Sequence, residues 1–221
     1  LDANGNSLNN TIPQSFGHLT NLKHLDLIAN SLSGGIPASI STLQMLTSLS
    51  LHSNRLTSTI PASIGQLTTL QKLWLGGNAL NGTLPNGMGS LTNLEHLDVS
   101  NNSLSGILPP EIIQMKSLYD ASLDSNNFTG SLPVGMVLLT NLGSFSVSQN
   151  SLTGSIQAGL VQLPRLFRLN LENNTEISGP IPTEIGLSPT LQYFVVNENR
   201  ISSTVSAMTW TSTISVKRPS L

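Results

Sequence analysis

The sequence predicts a repeat solenoid of mixed α/β class, with a parallel sheet along one face. Three observations carry that expectation: the chain repeats itself every 24 residues, each repeat sets apolar residues at the same seven places, and one asparagine recurs in every repeat.

The period comes first, because self-similarity at a fixed spacing overrides local secondary-structure signals. The stretches "NLKHLDLIANSLSGGIPASISTLQ" (21–44), "MLTSLSLHSNRLTSTIPASIGQLT" (45–68) and "TLQKLWLGGNALNGTLPNGMGSLT" (69–92) align without a gap. The register then holds through starts at Asn93, Ser117, Asn141 and Arg165. One extra residue in "NNTEISGPIP" moves the next start to Thr190, and Leu1 falls at the fifth position of an incomplete first unit. Nine units thus make residues 1–205 a repeat domain, and residues 206–221 read as a degenerate last repeat or tail. The chain opens in mid-strand on Leu1, so it is expected to be part of something longer.

Number each unit from 1 to 24. Positions 2, 5, 7, 12, 16, 20 and 23 are nearly always apolar, as Leu94, Leu97, Val99, Leu104, Leu108, Ile112 and Met115 show in the fifth unit. The pair at 5 and 7 has the two-residue period of a short strand with one buried face. Position 10 is Asn6, Asn30, Asn54, Asn78, Asn102, Asn126, Asn150, Asn174 and Asn199, a structural ladder whose carboxamides suit the backbone groups opened where a strand turns. Asn with Gly or Ser marks that turn. Proline at position 17, from Pro13 to Pro182 with Gln157 and Ser206 as exceptions, is expected to keep the next extended piece out of a regular ladder. Burying seven apolar side chains falls short of the entropy of ordering a whole unit. Units therefore fold only by stacking and sharing their apolar faces.

The recurring pattern, clearest in "LTNLEHLDVSNNSLSGILPPEI" and "LTNLKHLDLIANSLSGGIPASI", resembles the plant-specific class of leucine-rich repeats across residues 1–205. That family includes ectodomains of plant receptor kinases and receptor-like proteins, and the cell-wall polygalacturonase inhibitors. The resemblance implies a curved, twisted right-handed solenoid with a parallel sheet on the concave face and short 3₁₀ turns on the convex face. It also implies an extracellular or cell-surface recognition module for a protein, peptide or glycan, in a receptor or defence protein. The cysteine-bearing caps common in that family are missing.

Composition narrows the function from the other side. The 221 residues include 9% charged ones and carry a formal net charge of −2, which supplies no long-range field for nucleic acid or an anionic membrane. With no cysteine there is no disulfide, thiolate nucleophile or cysteine metal site. No apolar run approaches the about 20 residues that span a bilayer, and the first residues lack the form of a signal peptide.

The scarce charges are placed unevenly. Taking positions 2, 5, 7 and 10 as inward leaves 3, 4, 6, 8, 9 and 11 on the concave side, and these hold 13 of the 20 charged residues. Equal positions of neighbouring units form columns across the sheet. Glu95, Asp98, Asp120 and Asp124 then surround His96, bordered by Lys72, Trp74 and Tyr119, with Arg168, Glu172 and Tyr193 further along. Aromatics beside charged rims are the residue types that anchor interfaces, so these eleven are the candidate partner-binding residues.

His96 beside Asp120 and Ser144 is the best nucleophilic set, but an open sheet offers neither pocket nor oxyanion hole. His96, Asp98 and Asp120 lack a metal-site spacing. The expectation is no enzyme, no metal and no cofactor. Sequons at Asn9, Asn81, Asn101, Asn127 and Asn173 are glycosylation candidates, in a number that chance supplies to so Asn-, Ser- and Thr-rich a chain. Two alternatives stand beside recognition. One is a purely structural scaffold. The other is ice binding by the position-15 column of Thr11, Gly35, Thr59, Thr83, Ile107, Ser131, Ser155, Pro180 and Thr204.

Overall fold

The computed structural model describes residues 1–202, so the tail expected over 206–221 and the Thr204 and Ser206 positions lie outside the described residues. Each unit from the second to the ninth contributes one three-residue strand at positions 4 to 6, running from His24–Asp26 in the second unit to Tyr193–Val195 in the ninth. These eight strands form one parallel sheet in chain order, each inner strand paired with those of the units before and after. Leu97, for example, sits opposite both Leu73 and Ala121. The middle residue of every strand is buried in a single continuous core with the apolar residues of the other inward positions.

The strand ends because position 9 takes a left-handed conformation in every unit, with φ between +50° and +62° from Gly5 to Glu198. Such a turn leaves backbone groups facing inward, and the asparagine after it meets them. Asn102 accepts the Leu80 N–H at 2.9 Å and donates to the carbonyls of Leu75, Val99 and Ser100, each at 3.1 Å. One side chain thus bonds its own turn and the coil before it. The same four contacts recur at Asn126 and at the fully buried Asn174. The inserted residue after Asn174 breaks the series. Ile177 N–H turns back onto Asn174 O at 2.9 Å, and the buried Oδ1 of Asn199 finds no hydrogen-bond partner among the described residues.

Beyond the asparagine the chain departs from expectation. Instead of an unladdered extended piece, the segments Asn81–Gly82, Ser103–Ile107, Asn127–Ser131, Ser151–Gly154, Glu176–Gly179 and Arg200–Ile201 form a second, six-stranded parallel sheet. Ser33–Gly34 and Arg55–Leu56 pair in the same way. Proline does not prevent this, because the strands run through positions 11 to 15 and stop before its missing N–H would be needed. In this sheet Asn127 lies opposite Ser105, a register of 22 residues against 24 in the first. Each strand is therefore offset by two residues from the coil repeat. Glycine at position 14 makes the stacking possible. Gly106 has φ +78°, and a Cβ there would lie 2.9 Å from the Thr83 methyl of the preceding unit.

Proline at position 17 then opens a five-residue 3₁₀ segment, as at Ala38–Thr42, where the Pro37 carbonyl accepts the Ile40 N–H at 3.0 Å. In the seventh unit Gln157 replaces it, donates to the Leu132 carbonyl at 2.9 Å, and is followed by a short α-helix, Ala158–Val161.

These packing relations rank three substitutions in urea unfolding. Leu97→Ala, at a site 1% exposed, is expected to cost about 2–5 kcal/mol. Asn174→Ala leaves a buried N–H and buried carbonyls unpaired and is expected to cost about 1–3 kcal/mol. Asn6→Ala, on an exposed end, is expected to stay within about 0.5 kcal/mol. Equal losses at Asn6 and Asn174 would contradict the ladder.

Candidate functional site

The outer face of the eight-stranded sheet is a set of columns, because its strands pair without slip. Lys72, His96, Asp120, Ser144, Arg168 and Tyr193 stand side by side at position 4. Trp74, Asp98 and Ser122 do the same at position 6. Two features of the face differ from expectation. Position 11 belongs to the second sheet, so Arg55 and Arg200 leave the concave face, and Arg200 pairs there with Glu176 at 2.9 Å. From the second unit on, positions 6 and 8 are half-buried or buried, with Ser50, Ser100, Ser146, Ser148 and Asn170 all enclosed between neighbouring coils.

That enclosure divides the carboxylates expected around His96 into two kinds. Asp98 Oδ1 accepts from the Ser100 N–H at 2.9 Å and hydroxyl at 2.7 Å, while Oδ2 meets His52 Nδ1 at 3.3 Å. His52 belongs to the third unit and Asp98 to the fifth. They reach each other because Gly76 between them has no side chain, and a Cβ there would stand 2.7 Å from Asp98 and 2.8 Å from His52. Asp124 is more heavily engaged. Its Oδ1 accepts from the Ser146 hydroxyl at 2.5 Å and from the Ser148 N–H and hydroxyl at 2.7 Å, and its Oδ2 accepts from Ser122 at 3.0 Å. Glu172 accepts from Asn197 at 3.3 Å. Asp98 and Asp124 are thus staples between coils. Glu95 is exposed and Asp120 half-buried, and neither forms an ion pair within the described residues.

Two aromatic centres punctuate the face. Lys72 Nζ lies 5.7 Å from the Trp74 ring centroid, a cation–π contact at the edge of an open cleft of about 520 Å³. Its other walls include Asp2, His24, Asp26 and Gln71. The second centre runs along the entry side of the strands. His96 meets the Tyr119 ring edge-on at 6.2 Å, and Tyr119 approaches Phe167 at 6.4 Å across the buried Gly143. Tyr119, 41% exposed, floors a cleft of about 410 Å³ with Glu95, His96, Ser117, Asn141 and Arg165. Arg168 and Tyr193 are exposed beyond it. The concave-face positions include His52, but the columns do not pair it with Asp98, and Arg165 and Phe167 fall outside them. Glycines at face positions, Gly76 and Gly143, were the signal that side chains two units apart meet across them.

His96, Asp120 and Ser144 are neighbours in the ladder, with no hydrogen bond joining them among the described residues. The five sequon asparagines are exposed, Asn9, Asn81 and Asn127 on the second-sheet side and Asn101 and Asn173 at the left-handed turns. Thr11, Thr59, Thr83, Ser131 and Ser155 are exposed along the second sheet, interrupted by Ile107. Among the described residues no helix is long and apolar enough to cross a membrane.

Comparison with known proteins places this geometry. A family model described as leucine-rich repeat region matches residues 1–119. No curated protein matches. Among solved structures the chain is similar to the Arabidopsis receptor kinase HAESA in complex with the peptide hormone IDA and the co-receptor SERK1, at 42% identity and TM-score 0.87, covering 91% of this chain and 34% of that one. It is similar to the plant peptide hormone receptor RGFR1 in complex with RGF2, at 32% identity and TM-score 0.79, covering 90% and 35%. A plant ice-binding protein matches at 28% identity and TM-score 0.74, covering 92% and 73%. The chain spans about a third of the length of the receptor chains it matches.

The two kinds of carboxylate separate in stability measurements. Asp124→Ala removes a charged acceptor from four donors and is expected to cost about 1.5–3 kcal/mol in urea unfolding. Glu95→Ala is expected to stay within about 0.5 kcal/mol. A cost at Glu95 matching that at Asp124 would contradict the division.

Proposed function

Because the chain belongs to the leucine-rich repeat family, we propose that it is a non-enzymatic recognition module that takes an extended peptide or protein segment on its concave sheet. The observation that carries this reading is the contrast between two sheets of one solenoid. The concave face holds Trp74, Tyr119 and Tyr193 with free charges around two open clefts, whereas the second sheet shows chiefly Ser, Thr, Asn and Gly. Exposed aromatics and arginines set among polar residues are the anchors of interfaces. HAESA and RGFR1, whose solved complexes contain peptide hormones, share the architecture and support the same use here. By the same likeness the module works outside the cell, in the manner of a receptor ectodomain, and its exposed sequons are open to glycosylation.

Ice binding is the second reading, and the second sheet is the observation that favours it. Strand pairing sets Thr129 beside Ile107 and Ser151, and Thr153 beside Ser131, in a regular, weakly charged array. An ice-binding protein of the same fold adds support. Gly35, Ile107 and Pro180 interrupt the hydroxyls.

Random-peptide display on the immobilised chain tests the first reading. Enrichment is expected on the wild type and is expected to vanish on a Trp74→Ala, Tyr119→Ala, Arg168→Ala triple variant; no enrichment over the unfolded chain contradicts it. Thermal hysteresis above buffer, abolished by Thr83→Lys with Thr129→Lys, would move the function to the second sheet.

A further inference from the structure

Resting on the peptide-recognition reading, we propose that the cleft over Tyr119 is a bipolar anchor subsite. It seats an apolar or aromatic side chain of an extended peptide that carries a cationic residue toward Glu95 and an anionic residue toward Arg165. The floor is built across three units. Gly143 offers no side chain in the middle one, and a Cβ there would lie 2.6 Å from Tyr119 and 3.2 Å from Phe167, so the two rings approach over it. His96 extends the surface on the other side by its edge contact with Tyr119. A shelf of this kind prefers a flat or bulky apolar partner that covers ring faces.

The walls give the shelf its direction. Glu95 and Arg165 line the same cleft, both are exposed, and neither has an ion pair among the described residues. Their backbones stand three units apart, which at strand spacing is about 14 Å. No ion pair joins the two side chains among the described residues, so each charge is open to a ligand. About 14 Å is also the reach of about four extended residues. A ligand that satisfies both ends must carry both signs of charge a few residues apart, which a peptide does and a neutral or acidic glycan does not. The cleft continues past Arg165 and Phe167 into another of about 420 Å³ walled by Ser188 to Gln192, so the peptide has room to run on along the solenoid.

The test selects a random heptapeptide display library on three proteins: wild type, Glu95→Lys and Arg165→Glu. On the wild type, enriched peptides are expected to carry an apolar residue between one basic and one acidic residue. Glu95→Lys is expected to raise acidic over basic residues at the flanks by about two- to fivefold, and Arg165→Glu to do the reverse by a similar factor. Enrichment with the same charge pattern on all three proteins overturns the subsite and leaves concave-face peptide recognition standing. Enrichment of uncharged sequences on the wild type does the same. No enrichment on any of the three overturns both, and sedimentation then shows whether the face is occupied by a second copy, as self-association lost in Arg165→Glu would indicate.

Discussion

Every coil of this solenoid leaves its strand through a left-handed turn, and such a turn is tolerable inside a protein only if its backbone groups find partners. The carboxamide at position 10 provides them. In Asn102 and Asn126 the nitrogen bonds two carbonyls of its own turn and one of the coil before, while the oxygen takes the N–H that opens the second sheet. No other small side chain offers an acceptor and two donors in that compact form. The ladder therefore fixes the pitch between coils, the end of the first sheet and the start of the second. The face that carries the clefts inherits its regular columns from this inner row.

A regular face is a frame on which individual side chains can differ. Where the column holds a small residue, neighbours from flanking coils close over it, as His52 and Asp98 do across Gly76 and Tyr119 and Phe167 do across Gly143. Asp124, gripping Ser146 and Ser148 of the next coil, spends its charge inside the structure. Glu95, Arg165 and Arg168 keep theirs for solvent or a ligand. Charge on a repeat surface thus divides by its hydrogen bonds, and proximity in a column is a poor guide to which residue is available.

The sequence made the solenoid, its register and the asparagine row legible, because a 24-residue period with one invariant polar residue leaves little else that could bury those apolar positions. The columns of the concave sheet were legible for the same reason. The second sheet was not, since proline at position 17 weighed against a ladder whose strands in fact end before it. The His52–Asp98 contact joins position 8 of one unit to position 6 of another two units away, so a reading of equal positions passes over it. The extra residue in "NNTEISGPIP" was visible as a slip in register, but its effect, the unpartnered Oδ1 of Asn199, depends on where Ile177 N–H turns.

The dependence of both sheets on the asparagine row is tested most directly by native-state hydrogen exchange at the position-12 amides of Leu80, Leu104, Phe128 and Leu152, whose N–H groups bond to asparagine Oδ1 of the following coil. The account predicts that they exchange as slowly as the backbone-paired amides of Leu75, Val99 and Leu123 in the first sheet. Exchange at position 12 about a hundredfold faster, equivalent to about 2.7 kcal/mol of independent local opening, would contradict it.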